Sequence, residues 1–332
     1  MRAAHATDER GGNNYRYQRA IKREQEEEEY RPKVELRERQ KQGLEIELEK
    51  QAKIVTFKNC DMRSYYHTKC VQLEAQKKED PFFLYLAYNA PHSPIQPPEE
   101  WVDKVKNREP GISDKRARFV ALTEHMDYGI GQVVQSLKDN GIYDDTLVIF
   151  TSDNGGSLRF GSDNGPLRDQ KGTVYEGGLR VPAAVVWNNK IQARSSSKHT
   201  GMTMDIFPTI MDICGIDWEG PIDGVSFAPV LSGGSVDVFE RAMIFSRREG
   251  GLAYNGKTIE AVRIGDFKLV HNSPYEPYEM YNIAQDPYEK KNLLEGKKSD
   301  QFSKVPHFTE LRARLALHFQ QRGSVPWQPP KE

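Results

Sequence analysis

Between Pro81 and Thr151 the chain runs through an apolar segment of strand length, one amphipathic helical stripe and a second apolar strand, with short joins, and few folds accommodate that order. Phe82 to Tyr88 is continuously apolar and aromatic. It follows Lys77-Lys78-Glu79-Asp80 and leads into a proline-rich loop at Asn89-Ala90-Pro91-His92, as expected of a strand buried on both faces. Phe119, Leu122, Met126, Ile130, Val133 and Leu137 recur every three or four residues, which marks one face of a helix, and Asn140-Gly141 would end it. Thr146 to Thr151 is the second strand. Strand, helix, strand in this order predicts a right-handed crossover within a parallel sheet. Val181 to Trp187 adds a strand, and Met204 to Cys214, closed by Gly215, adds a helix. Beyond about Ser235, short alternating runs at Arg241 to Ser246, Ala261 to His271 and Glu279 to Ile283 predict a small antiparallel sheet, with a helix over His307 to Gln321 packed on it. The expected class is α/β: a mostly parallel sheet flanked by helices, followed by a small C-terminal antiparallel sheet plus helix.

This order divides the chain into a segment of Lys, Arg, Glu and Gln over residues 1–53, an α/β part over 54–235 and an α+β part over 236–332. The first reads as solvated helix or disorder, because its apolar residues do not sustain a heptad. At 332 residues with 37% hydrophobic content, the rest is long enough for a full core and a smaller lobe. Basic and acidic side chains number 47 and 48, so no global field favours nucleic acid or an anionic membrane, and function must come from a specific site. No apolar run approaches the ~20 residues that span a bilayer. Cys60, Cys70 and Cys214 form no C-x-x-C pattern and indicate neither a zinc site nor a disulfide framework, although a Cys60 to Cys70 bridge stays open.

In an open parallel sheet, ligands gather beyond the carboxyl ends of the strands, and three segments placed there carry chemistry. Thr151-Ser152-Asp153-Asn154-Gly155-Gly156 sets a carboxylate beside an amide carbonyl. These are two hard oxygen donors suited to Ca2+ or Mg2+, though the same hexapeptide fits a plain Asx turn. Ala90-Pro91-His92-Ser93-Pro94 holds an imidazole between prolines, in place for proton donation or anion contact, or as an ordinary surface histidine. Lys171-Gly172-Thr173-Val174-Tyr175-Glu176-Gly177-Gly178 joins a point charge to glycine backbone donors, a combination that holds a tetrahedral oxyanion or forms a solvated turn.

Taken in order, these segments resemble the sulfatase family, within the wider alkaline-phosphatase-like superfamily. The resemblance is carried by Pro81 to His92, Leu122-Thr123-Glu124-His125-Met126-Asp127, Thr151 to Gly155, Lys171 to Pro182, Asp205-Ile206-Phe207-Pro208-Thr209 and Ala261 to Leu269. It implies hydrolysis of sulfate esters, with Asp153 and Asn154 as ligands of a divalent metal, usually Ca2+, and with His92 and Lys171 touching the sulfate. It implies a sulfate ester or sulfated glycan as partner, with no nucleic acid and no membrane. It leaves open the oligomeric state and the particular ester. Family members usually work in the secretory pathway, lysosome or periplasm; Met1 to Asn14 hold no signal-like apolar stretch, so the compartment stays unassigned.

The family's nucleophile sits in C-x-P-x-R or S-x-P-x-R, and two further metal-binding Asp residues lie near the amino terminus. Here the Pro-x-Arg is Pro166-Leu167-Arg168, with Asn164 at the nucleophile position, and Cys60-Asp61-Met62-Arg63 lacks the Pro. Covalent catalysis needs an activated nucleophile, and Ca2+ takes about six to eight oxygens. The expectation is a chain that keeps the oxyanion site without the attacking atom. It would be part of a longer sulfatase or a sulfate-binding or sulfated-glycan-binding pseudoenzyme; a hydrolase of a related ester with another nucleophile ranks last.

Overall fold

The computed structural model describes residues 53–57, 81–248, 258–273 and 275–321, and the chain divides into two compact units, 1–89 and 90–332. The charged segment up to residue 52, along with Cys60 and Cys70, lies outside the described residues. In the first unit, β1 (Lys53–Phe57) pairs in parallel with β2 (Phe82–Leu86), Lys53 opposite Phe82 and Phe57 opposite Leu86. The residues of β2 are half-buried and Tyr85 is exposed, so the expectation of a strand covered on both faces is not met.

The second unit opens with α1 (Glu99–Arg108), which the proline-rich reading of this stretch missed. Its start follows from Pro98 at the cap with Glu99 and Glu100 in the first turn, and Lys106 and Arg108 complement the dipole at its end. Val102 and Val105 are buried against Ala117 and Ala121 of α2 (Asp114–Asp139), where small side chains let the two helices approach. Ser113 caps α2 by accepting the Arg116 N–H at 3.3 Å. Gly141, at φ 66°, follows its last turn as expected. Of the anticipated stripe, Leu122, Val133 and Leu137 are buried; the row beside it, Ala117, Ala121, His125 and Gly129, is buried as well, because α1 covers that side.

Next come β3 (Val148–Thr151), a single turn of helix α3 (Glu176–Leu179) and β4 (Ala183–Val186). The mixed α/β class holds, but β3 and β4 pair antiparallel, Val148 opposite Val186 and Thr151 opposite Ala183. The reason is local. The chain leaves β3 at Ser152 and returns at Pro182 on the same end of the ladder, where the Ser152 N–H donates to the Pro182 carbonyl at 3.4 Å. Among the described residues only β1 and β2 form a parallel ladder. α4 (Ile206–Cys214) stops at Gly215, φ 65°, and α5 (Ala228–Leu231) follows.

The C-terminal sheet runs in the order β5 (Met243–Arg248), β6 (Thr258–Ile264), β7 (Phe267–His271), β8 (Glu279–Asn282), antiparallel throughout. The run from Ala261 to His271 is thus two strands, folded back at Gly265, φ 54°. Strand alternation assigns the two faces. Val262, Ile264, Leu269 and Met280 pack with Phe308, Leu311 and Leu315 of α6 (Phe308–Gln321). Ile259, Ala261, Val270 and Tyr281 point the other way and pack with Val174 and Tyr175. One face therefore carries the expected helix, and the other carries the glycine-rich segment that contains Lys171. No helix among the described residues is long and apolar enough to cross a membrane.

Candidate functional site

The chain leaves β3 through a turn in which Ser152 Oγ donates to the Asn154 carbonyl at 3.1 Å, leaving Asp153 exposed and Asn154 half-buried. Two backbone hydrogen bonds then tie this turn to the segment bearing Lys171. The Gly155 N–H donates to the Gly178 carbonyl at 2.9 Å, and the Lys171 N–H donates to the Gly156 carbonyl at 3.1 Å. The approach is closer than any side chain allows: a Cβ on Gly155 would stand 1.8 Å from the Gly177 oxygen, and one on Gly177 would stand 2.3 Å from the Asp169 oxygen. The structure thus brings Asp153, Asn154 and Lys171 onto one laced pair of loops. Lys171 is exposed, and neither its ammonium nor the Asp153 carboxylate makes an ion pair or side-chain hydrogen bond with another described residue.

His92 stands on a separate loop, exposed, with the Ala90-Pro91 and Ser93-Pro94 peptide bonds both cis. Its Nδ1 lies 2.8 Å from the Ser93 carbonyl oxygen, which can only accept, so Nδ1 carries a proton. No contact joins His92 to Asp153, Asn154 or Lys171 among the described residues.

Asn164, the residue two before Pro166, is committed to the backbone. Its Oδ1 accepts the Gly156 N–H at 2.9 Å, while its Nδ2 donates to the Gly156 carbonyl at 3.0 Å and the Asp169 carbonyl at 2.9 Å. Arg168 turns inward to Glu279 at 3.2 Å and to the Tyr281 hydroxyl at 2.5 Å. Pro166-Leu167-Arg168 is therefore a structural loop and not a displaced nucleophile motif.

For a divalent cation, Asp153 and Asn154 offer two oxygens of the right hardness, which suits one side of a Ca2+ shell. Among the described residues no three His, Cys, Asp or Glu side chains converge.

Behind the exposed residues lies a buried set that sequence reasoning did not single out. Lys268 of β7 is fully buried, 2.8 Å from both Glu176 and Glu289, and the Tyr175 hydroxyl bonds the Glu279 carboxylate at 2.9 Å. Burial pushes the Glu289 carboxyl above the usual range, and the Lys268 ammonium draws it back only in part. One signal was visible: Lys268 stands between Phe267 and Leu269 in a strand where neighbours on both faces are covered.

Residues 7–216 match the family model described as Sulfatase. The chain belongs to the sulfatase family. Residues 169–316 also match the model for the C-terminal part of N-sulphoglucosamine sulphohydrolase. The chain is similar to the N-acetylgalactosamine-6-sulfatase of Canis lupus familiaris, with 31% identity over 199 residues, covering 58% of this chain and 34% of that one. A sulfatase of Formosa agariphila is 31% identical over 247 residues, covering 69% of this chain and 44% of the relative. The chain thus spans well under half the length of these relatives. The crystal structure of Ps i-CgsB in complex with k-i-k-neocarrahexaose superposes with a TM-score of 0.68 at 28% identity, covering 83% of this chain and 57% of that one. Sulfatases are generally metal-dependent hydrolases.

Proposed function

We propose that this chain supplies the sulfate-holding side of a sulfate-ester hydrolase site, with a sulfated glycan as the substrate class. The observation that supports it is the lacing of the Asp153-Asn154 turn to the Lys171 turn, which carries an unpaired ammonium and two hard oxygen donors on the same pair of loops. In this reading Lys171 neutralises charge on the nonbridging sulfate oxygens. His92, whose Nδ1 proton is engaged by the Ser93 carbonyl, assists the departing alkoxide only when it carries a second proton on Nε2, which it then gives up. Asp153 and Asn154 provide two ligands of a divalent cation, Ca2+ by resemblance, which would polarise the same sulfate when bound. The sugar class rests on relatives whose names specify amino-sugar sulfates.

The 332 residues contain no Cys or Ser two positions before a Pro-x-Arg, and Asn164 is tied to the backbone on every side-chain atom that could bond. The attacking group therefore belongs to a segment outside these residues, or the chain binds sulfated glycans without turning them over. One experiment addresses both: inorganic sulfate binding and aryl sulfate turnover, measured on the wild type and on a Lys171→Ala, His92→Ala double variant. The expected result is sulfate binding lost in the double variant, with turnover equal and at background in both. Unchanged binding overturns the site, and turnover that the substitutions abolish overturns the missing nucleophile.

A further inference from the structure

Lys268, Glu176 and Glu289 place three charges where solvent does not reach. The Lys268 ammonium lies 2.8 Å from Glu176 Oε1 and 2.8 Å from Glu289 Oε1. The second oxygen of Glu289 accepts the backbone N–H of Glu176 at 2.7 Å, so Glu289 fixes the main chain at the residue whose side chain Lys268 holds. Glu289 itself has φ 53°, a left-handed conformation that a residue with a side chain keeps only where its surroundings over-determine it. Packed apolar side chains often match or exceed the stability of a buried ion trio, so stability alone is a weak account of these charges.

The other flank of the same segment is tied to the same sheet face. Arg168 donates to Glu279 and to the Tyr281 hydroxyl, and its guanidinium lies 3.7 Å from the centroid of the Tyr175 ring. The Tyr175 hydroxyl is in turn bonded by Asn272 at 2.8 Å. The chain from Arg168 to Glu176 is thus pinned at both ends to β7, β8 and the turn after them, and Lys171 is the exposed cation in between, two residues from the exposed Asp169. We propose that Lys268, acting through Glu176 and Glu289, is a positioning residue that fixes where the Lys171 ammonium stands, which makes the C-terminal sheet part of the sulfate-holding site. This rests on the reading of Lys171 as the sulfate contact.

The test is isothermal titration of the full chain with inorganic sulfate, well below the melting transition, with hydrogen exchange on the same samples. Lys171→Ala should abolish binding. Lys268→Met and Glu289→Gln should each weaken it on the order of tenfold, with faster exchange at the Lys171 and Gly177 amides and no change in the interior of α2. A purely structural Lys268 would lower the melting temperature and leave sulfate affinity alone, which overturns the proposal. If Lys171→Ala binds sulfate like the wild type, the reading of Lys171 fails first and this proposal with it. If Lys171→Ala loses binding while Lys268→Met keeps it, only the role of Lys268 fails. Should Lys268→Met not fold, Glu289→Gln decides, because it keeps the side chain's shape and an oxygen for the Glu176 N–H while removing the charge that Lys268 meets. Unchanged affinity and exchange in that variant would overturn the positioning role.

Discussion

At Gly155 two chain segments pass closer than a methyl group permits. A Cβ there would stand 1.8 Å from the Gly177 carbonyl oxygen and 2.8 Å from its carbon, against an ordinary contact of about 3.5 Å or more. The obstruction is backbone and cannot swing aside, so Gly155→Ala must part the two segments. That forfeits the 2.9 Å bond to the Gly178 carbonyl and strains the 3.1 Å bond from Lys171 to Gly156. Overpacking costs about 1–3 kcal/mol, and a lost backbone hydrogen bond adds about 1 kcal/mol, for roughly 2–4 kcal/mol together. Gly131, on the exposed side of α2, has nothing within 4 Å of the point where a methyl group would stand, so Gly131→Ala should instead stabilise by about 0.5–1 kcal/mol. Urea midpoints of the two variants, read beside inorganic sulfate affinity, check the pair. If Gly155→Ala melts with the wild type, the two loops are not in contact in solution, and the shared site of Asp153 and Lys171 loses its foundation.

Two other substitutions follow from buried polar groups. Burial pushes the Asp205 carboxyl up, but the Arg241 guanidinium at 2.8 Å and the Met202 and Val225 N–H groups outweigh it and hold the carboxyl below the usual range. Its contribution to stability is therefore present above about pH 4 and is lost as pH falls through the depressed folded value. Arg241→Met strands a fully buried carboxylate and should cost about 3–5 kcal/mol at pH 7, with a smaller loss near pH 4.5 as the unpaired carboxyl takes up a proton; equal losses in denaturant melts at the two pH values would contradict this. Asn164→Cys writes a Cys-x-Pro-x-Arg pattern into the chain, yet aryl sulfate turnover should stay at background, because that side chain faces the backbone of Gly156 and Asp169. Removing its bonds should also lower stability by about 1–3 kcal/mol, and turnover above background would show that the loop is not closed as described.

Much of this architecture is legible from period and punctuation. The stop at Asn140-Gly141, the α4 stop at Gly215 and the alternating C-terminal runs each follow from a local rule, and each is found. What local rules do not carry is direction and partner. Thr146 to Thr151 reads equally well as a parallel or an antiparallel strand, and only the return of the chain at Pro182 decides it. α1 was hidden because Pro97-Pro98 reads as loop, although Pro98 is where the helix begins. At the site, Gly155-Gly156 and Gly177-Gly178 read as turn-forming and donor-bearing glycines, and their close approach to one another is seen only in the fold. The pairing of Lys268 with Glu176 is not written locally, since two residues 92 positions apart leave no periodic trace.

The distribution of charge across this unit argues that the Lys171 loop is built for something outside the chain. Where charges are satisfied within the chain, as at Asp205 with Arg241 or Lys268 with Glu176 and Glu289, they are buried and matched within hydrogen-bonding distance. Asp153 and Lys171, like other surface charges of this unit, are not matched in that way. Their turns are tied together by backbone bonds, yet both side chains are exposed and take no described partner. A loop that served only to connect strands would have no need of a glycine so close to its neighbour that an added Cβ would stand 1.8 Å from a carbonyl oxygen. Rigid backbone beneath an unsatisfied ammonium is the arrangement that meets an anion without reorganising, and reorganisation is the cost an electrostatic site has to avoid.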